Sequence, residues 1–108
     1  MNPKLIFEKH LIEQLQVRGK ALRNINAIFQ FNITGPEGGT WYIDLTCEAP
    51  YVRQGVNSAP HCIVTMVDRD LVEVVSGKLD GIQAFTTGRL RVEGDLGLAM
   101  RLPELFRS

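Results

Sequence analysis

From His61 to Phe106 the apolar residues change period several times, and few architectures accommodate that. Cys62, Val64 and Met66 alternate with Ile63, Thr65 and Val67, the two-residue period of a strand. Asp68 ends the alternation and predicts a helix cap, after which Leu71, Val72, Val74 and Val75 form a buried helical side and Gly77 a left-handed stop. Asp80 caps a second short helix through Ile82 and Phe85 to Gly88. Leu90 and Val92 then alternate with Arg89, Arg91 and Glu93 in a strand that shows one face to water. Asp95 opens a last helix, Leu96 to Phe106, with a stripe of Leu98, Leu102, Leu105 and Phe106. Pro103 inside it predicts a kink or a broken turn, because proline removes a main-chain bond and clashes with the preceding turn.

The first half completes the pattern. Asn2-Pro3 is a helix opening, and Phe7, Leu11, Leu15 and Leu22 recur at helical spacing, with an interruption expected near Gly19. The apolar face is broad enough that Leu5, Ile6 and Ile12 need cover too, and a sheet would supply it. Phe29, Phe31 and Ile33 share one strand face. Gly35-Pro36-Glu37-Gly38-Gly39 reads as a hairpin loop, and Trp41, Ile43, Leu45 and Cys47 alternate beyond it. Tyr51 to Gln54 fits a short edge strand.

Size and charge narrow the function classes. A chain of 108 residues holds one domain, 1–108, with one core. Twelve basic and twelve acidic residues give a formal net charge of zero, so no single-sign field steers the protein to nucleic acid or holds it on an anionic membrane. Membrane contact is expected to be transient at most. Charged residues interrupt the N-terminal apolar positions, so no signal peptide is read there, and a soluble cytoplasmic protein is the expectation. Cys47 and Cys62 lack metal or redox spacing and read as buried thiols.

Catalytic candidates are sparse. His61 and Cys62 are adjacent in a strand, so their side chains point to opposite faces and cannot form a dyad. No cluster has metal-ligand spacing, and no cofactor is expected. Gly94-Asp95-Leu96-Gly97 lacks a full phosphate-loop pattern and carries an acid where a phosphate would sit, so it reads as a helix cap. Arg89, Arg91 and Arg101 either hold a carboxylate or phosphate or are simply solvated. The apolar residues Leu71, Val75, Phe85, Leu98, Met100 and Leu102 read from periodicity alone as core.

The same residues carry a resemblance. Val64-Thr65-Met66, Asp68 onward to Gly77-Lys78-Leu79, Ala84-Phe85, Gly88-Arg89-Leu90-Arg91-Val92 and Gly94-Asp95-Leu96-Gly97-Leu98-Ala99-Met100-Arg101-Leu102 closely resemble, in order and spacing, the sterol carrier protein type 2 family. The first hairpin, through Phe29 to Ile33 and Trp41 to Leu45, fits as well. The resemblance implies an α/β (α+β) fold: a five-stranded, mainly antiparallel sheet with helices covering one face and an apolar tunnel between the layers. It implies a non-catalytic carrier of a fatty acid, a fatty acyl-CoA or a similar apolar ligand. On that reading Phe29, Phe31, Leu71, Val75, Phe85, Leu98, Met100 and Leu102 contact the lipid, and the last helix is a lid. The chain ends Phe106-Arg107-Ser108 and not in the peroxisomal S-K-L, which suits a stand-alone bacterial version. The alternative is an interaction module whose apolar groove receives a partner, either a second copy in a homodimer or an enzyme of a lipid or quinone pathway.

Overall fold

The computed structural model describes residues 1–106; Arg107 and Ser108, and with them the reading of the C-terminal tripeptide, lie outside the described residues. Strands β1 (Ile28–Thr34), β2 (Gly39–Asp44), β3 (Tyr51–Gln54), β4 (Cys62–Val67) and β5 (Leu90–Gly94) form one sheet in the order β3-β2-β1-β4-β5. Every neighbouring pair is antiparallel except β1 and β4, which run parallel. The sheet is thus mixed but mostly antiparallel, as expected.

Alternation places the apolar residues in rows across the strands. Trp41, Phe31, Val64 and Val92 lie side by side, and next to them Ile43, Phe29 and Cys62. All seven point to the side on which the helices lie, and all but the half-buried Val92 are buried. The opposite face is largely polar, broken by Ile28, Ile63 and Val67, and one polar residue on it is buried. Gln30 is 2% exposed there, because the chain leaving β3 crosses back over the sheet to reach β4. Its amide ties that crossing segment to the sheet: Nε2 donates to Gly55 O of the crossover at 3.1 Å and to Trp41 O of β2 at 3.2 Å, and Oε1 accepts from Asn57 N of the crossover at 2.8 Å. One side chain thereby closes the polar groups that the crossover buries.

The N-terminal helical arm is three consecutive pieces, α1 (Pro3–Leu5), a π-helical turn (Ile6–His10) and α2 (Leu11–Leu22). Asn2 caps it, accepting from Leu5 N at 2.9 Å. The π turn, in which Leu11 N–H reaches back to Ile6 O, keeps Ile6, Phe7 and Leu11 on the sheet side. Leu5 and Ile12 therefore stay exposed, contrary to the expectation that they need cover. The expected interruption falls at Arg18, one residue before Gly19, where φ −118 and ψ 17 leave the helical region.

Helices α3 (Asp68–Val75), α4 (Gly81–Thr86), α5 (Leu96–Ala99) and α6 (Leu102–Phe106) complete the layer. Asp80 and Asp95 cap α4 and α5 as expected. Asp68 does not cap α3 from outside; Val67 stands in that position. The Asp68 carboxylate instead joins α3 to the β1–β2 loop, accepting from Glu37 N at 2.9 Å and from Arg69 N at 2.7 Å. Gly35, at φ +104, lets the carboxylate in; a Cβ there would lie within 2.8 Å of it. The single last helix expected from 96 to 106 is two helices, broken at Met100 and Arg101. Pro103 then falls in the first turn of α6, where its missing N–H removes no helical bond.

Gln30 generates a test. Gln30→Leu keeps the size of the side chain but strips partners from the part-buried crossover. We expect a loss of about 2–4 kcal/mol in urea unfolding. A loss below about 0.5 kcal/mol would show that the crossover is not held this way.

Candidate functional site

Four aromatic side chains divide the space under the helices. Phe7 from the π turn stacks on Trp41 at 4.7 Å between ring centroids and meets Phe31 at 5.1 Å. Phe106 from α6 closes on Phe31 edge-on at 5.8 Å and on Phe7 at 6.5 Å. Trp41 Nε1–H donates to Glu8 at 3.0 Å, which fixes the arm on β2. On the arm's side of this cluster the space is filled, with Ile6, Phe7, Leu11, Phe29, Ile43 and Leu45 all 1% exposed or less.

On the other side it is open. A cavity of about 730 Å³ lies between β1, β4 and β5 below and α3 to α6 above. Phe31, Val64, Met66, Leu90 and Val92 form its floor. Leu71 and Val74 of α3, with Leu79, form one wall; Ala99, Leu102 and Phe106 form another. Ile82, Phe85, Leu96 and Met100 also line it yet are 45–68% exposed, so they mark its mouth.

Five of the residues expected at a lipid site share this wall: Phe31, Leu71, Phe85, Met100 and Leu102. Phe29 belongs to the filled half, and Val75 and Leu98 pack against the core outside the wall. The strand residues Val64, Met66, Leu90 and Val92 were not among those expected. Their alternation marked them as facing inward; what the sequence does not say is that the N-terminal arm covers only the β1–β2 half.

The three arginines singled out in the sequence stand apart from the cavity. Arg89 donates to Asp70 at 2.6 Å and to Glu73 at 3.3 Å, tying the start of β5 to α3. Arg101 pairs with Glu104 at 3.2 Å, and Arg91 alternates onto the outer face of β5. None of the three lines the cavity. The Cys62 thiol is fully buried, and its burial pushes its pKa up to about 11. His61 is exposed, its Nδ1 accepting from Ile28 N at 3.0 Å. Among the described residues no three His, Cys, Asp or Glu side chains converge as a metal would require, and no helix is long and apolar enough to cross a membrane.

Comparison with known proteins places this geometry. A family model described as the SCP-2 sterol transfer family matches residues 8–107. Hydroxysteroid dehydrogenase-like protein 2 of Rattus norvegicus is 34% identical over 88 residues, 81% of this chain and 17% of that protein. Sterol carrier protein 2 of Gallus gallus is 32% identical over 108 residues, covering 92% of this chain and 20% of that one. The chain thus spans about a fifth of these relatives' length. Among solved structures, the sterol carrier protein domain 2 of Helicoverpa armigera superposes with a TM-score of 0.78 at 30% identity, covering 99% of this chain and 91% of that one. Palmitated SCP2L2 from Aedes aegypti gives 0.73 at 27% identity, covering 100% and 96%.

The cysteines give a chemical check. The Cys62 thiol stays protonated in the fold until pH about 11, whereas the unfolded thiol ionises near 9.0. The unfolded state therefore releases its proton first, and this thiol's contribution to stability falls as pH rises between those values. Iodoacetamide at pH 8 should label the half-buried Cys47 at least tenfold faster than Cys62, as read by peptide mass spectrometry. Equal rates would contradict the burial and the low reactivity assigned to Cys62.

Proposed function

The chain belongs to the SCP-2 sterol transfer family, and from that premise we propose that it is a non-catalytic lipid-binding module that holds an apolar chain in the cavity between sheet and helices. The ligand classes are fatty acids, fatty acyl thioesters such as acyl-CoA, and molecules of similar apolarity. The observation that carries this reading is the cavity itself. Its volume falls in the range of roughly 300–1,000 Å³ common for small-molecule sites, and its wall is mostly hydrocarbon. Burying about twelve methylenes there yields roughly 10 kcal/mol before the cost of association, a modest net affinity that suits a carrier which must also release.

Palmitate in the Aedes aegypti relative supports the same class of ligand. The dehydrogenase name of the rat protein attaches to a chain of which this one matches 17%, so no activity is carried over from it. The roof of α3 to α6 suits a small-molecule occupant better than a partner's helix. Two unpaired thiols accord with a cytoplasmic location. The break at Met100 and Arg101 makes the α5–α6 segment the part of the roof that moves when ligand enters.

Filling the cavity tests this. Ala99 lies on its wall, and Ala99→Trp should lower affinity for a neutral fluorescent dye such as Nile red at least tenfold, with the circular dichroism spectrum retained. Val17→Trp, on the exposed outer side of α2, should bind as the parent does. Unchanged binding in Ala99→Trp, with the fold intact, would overturn the placement of the ligand.

A further inference from the structure

The chemistry of the cavity wall says something about the ligand's head. Among the described residues that line it, Asp80 alone is ionisable, and no Lys, Arg, His, Ser, Thr, Asn, Gln or Tyr contributes. A ligand carboxylate drawn inside would find no side-chain donor, and an unpaired ionised group in an apolar site is strongly disfavoured.

The next place an anion would look is a helix start, where free N–H groups and the helix dipole attract negative charge. Two helices present their first turns to the cavity: Gly81 and Ile82 of α4, and Leu96 and Gly97 of α5. Each is already served by a carboxylate of the protein. Asp80 Oδ1 accepts from Ile82 N at 2.8 Å, and Asp95 Oδ1 accepts from Leu98 N at 3.2 Å. Both aspartates are exposed; Asp80 lines the cavity and Asp95 directly precedes Leu96 at its mouth, so the two negative charges are not a buried pair. Of the arginines that might offset them, Arg89 is paired with Asp70 and Glu73 and Arg101 with Glu104, while Arg91 lies on the outer face of β5, away from the cavity.

We propose that the cavity selects lipids with an uncharged head, alcohols and simple esters, over the free carboxylate of the same chain length, and that Asp80 and Asp95 determine this preference. A hydroxyl has a further advantage: it donates, and an ionised Asp80 only accepts. The inference rests on the lipid-binding reading above and narrows its ligand. Palmitate in the Aedes aegypti relative makes the free acid the natural comparison.

Asparagine caps a helix as well as aspartate does, so Asp80→Asn and Asp95→Asn remove charge while keeping both caps. The experiment is displacement of Nile red by 1-dodecanol and by dodecanoate at pH 8, where the acid is ionised, on the parent, each single variant and the double variant. In the parent, half-displacement should need at least tenfold more dodecanoate than dodecanol. In the double variant the gap should shrink to threefold or less, chiefly through tighter dodecanoate, and Asp80→Asn alone should give a good part of that change. Equal potency of the two ligands on the parent overturns the proposal. A parent gap that persists unchanged in folded Asn variants overturns the assignment to Asp80 and Asp95. If the parent takes up neither Nile red nor dodecanol, the lipid-binding reading itself fails and the preference falls with it, a result distinct from equal potency.

Discussion

The contact on which the rest of the molecule depends is that of Phe31 with Phe7. Phe31 sits at the centre of the row from Trp41 to Val92, on the strand that joins the hairpin half of the sheet to the β4–β5 half. Phe7 brings the N-terminal arm onto it, and Phe106 brings the C-terminal helix to the same spot. Aromatic pairs at these separations add about 0.5–1.5 kcal/mol each beyond the area they bury. Both ends of the chain are therefore anchored on one side chain, and that side chain is also the inner wall of the cavity.

This arrangement allows a close-packed half and an open half to coexist. Protein interiors normally pack as densely as organic crystals, so a large apolar void beside a filled core needs a structural cause. Here the helices over β1 and β2 form one continuous arm, whereas the rest of the cover is four short pieces of eight, six, four and five residues. Short helices interrupted by turns and by β5 cannot bring a continuous ridge of side chains down onto the sheet. Two of the strand residues beneath them, Val64 and Val92, are small as well. The room left between the two layers is closed at its inner end by Phe31 and Phe106 and open among Ile82, Phe85, Leu96 and Met100.

Much of this is legible in the sequence, and the reasons differ by element. The strands show because alternation is a direct imprint of a sheet with one covered face, and Asp80, Asp95, Gly77 and Gly88 mark helix ends by chemistry that acts within a few residues. The parallel pairing of β1 with β4 is not written locally; it depends on where the crossover after β3 runs, and the buried Gln30 that seats it looks like any polar residue on an outer strand face. The cavity residues were half legible for a related reason. Periodicity tells which side chains point inward, and it assigned Phe31, Leu71 and Leu102 accordingly. It does not tell which inward side chains meet another layer and which meet empty space, so Phe29 and Val64 look alike from the sequence although one is in the filled half and the other on the cavity floor. The capping carboxylates at the mouth carry a second meaning that emerges only when their helices are seen to converge.

The central claim is that a lipid chain enters between the β4–β5 half of the sheet and the short helices. Its most direct test is a methyl NMR titration with a neutral long-chain lipid. The account predicts that the methyl signals of Val64, Met66, Leu71, Leu90 and Val92 shift together and saturate at one equivalent, while those of Ile43 and Leu45 in the filled half stay in place. Shifts confined to Ile43, Leu45 and their neighbours, or no saturable shift at the cavity methyls, would contradict it.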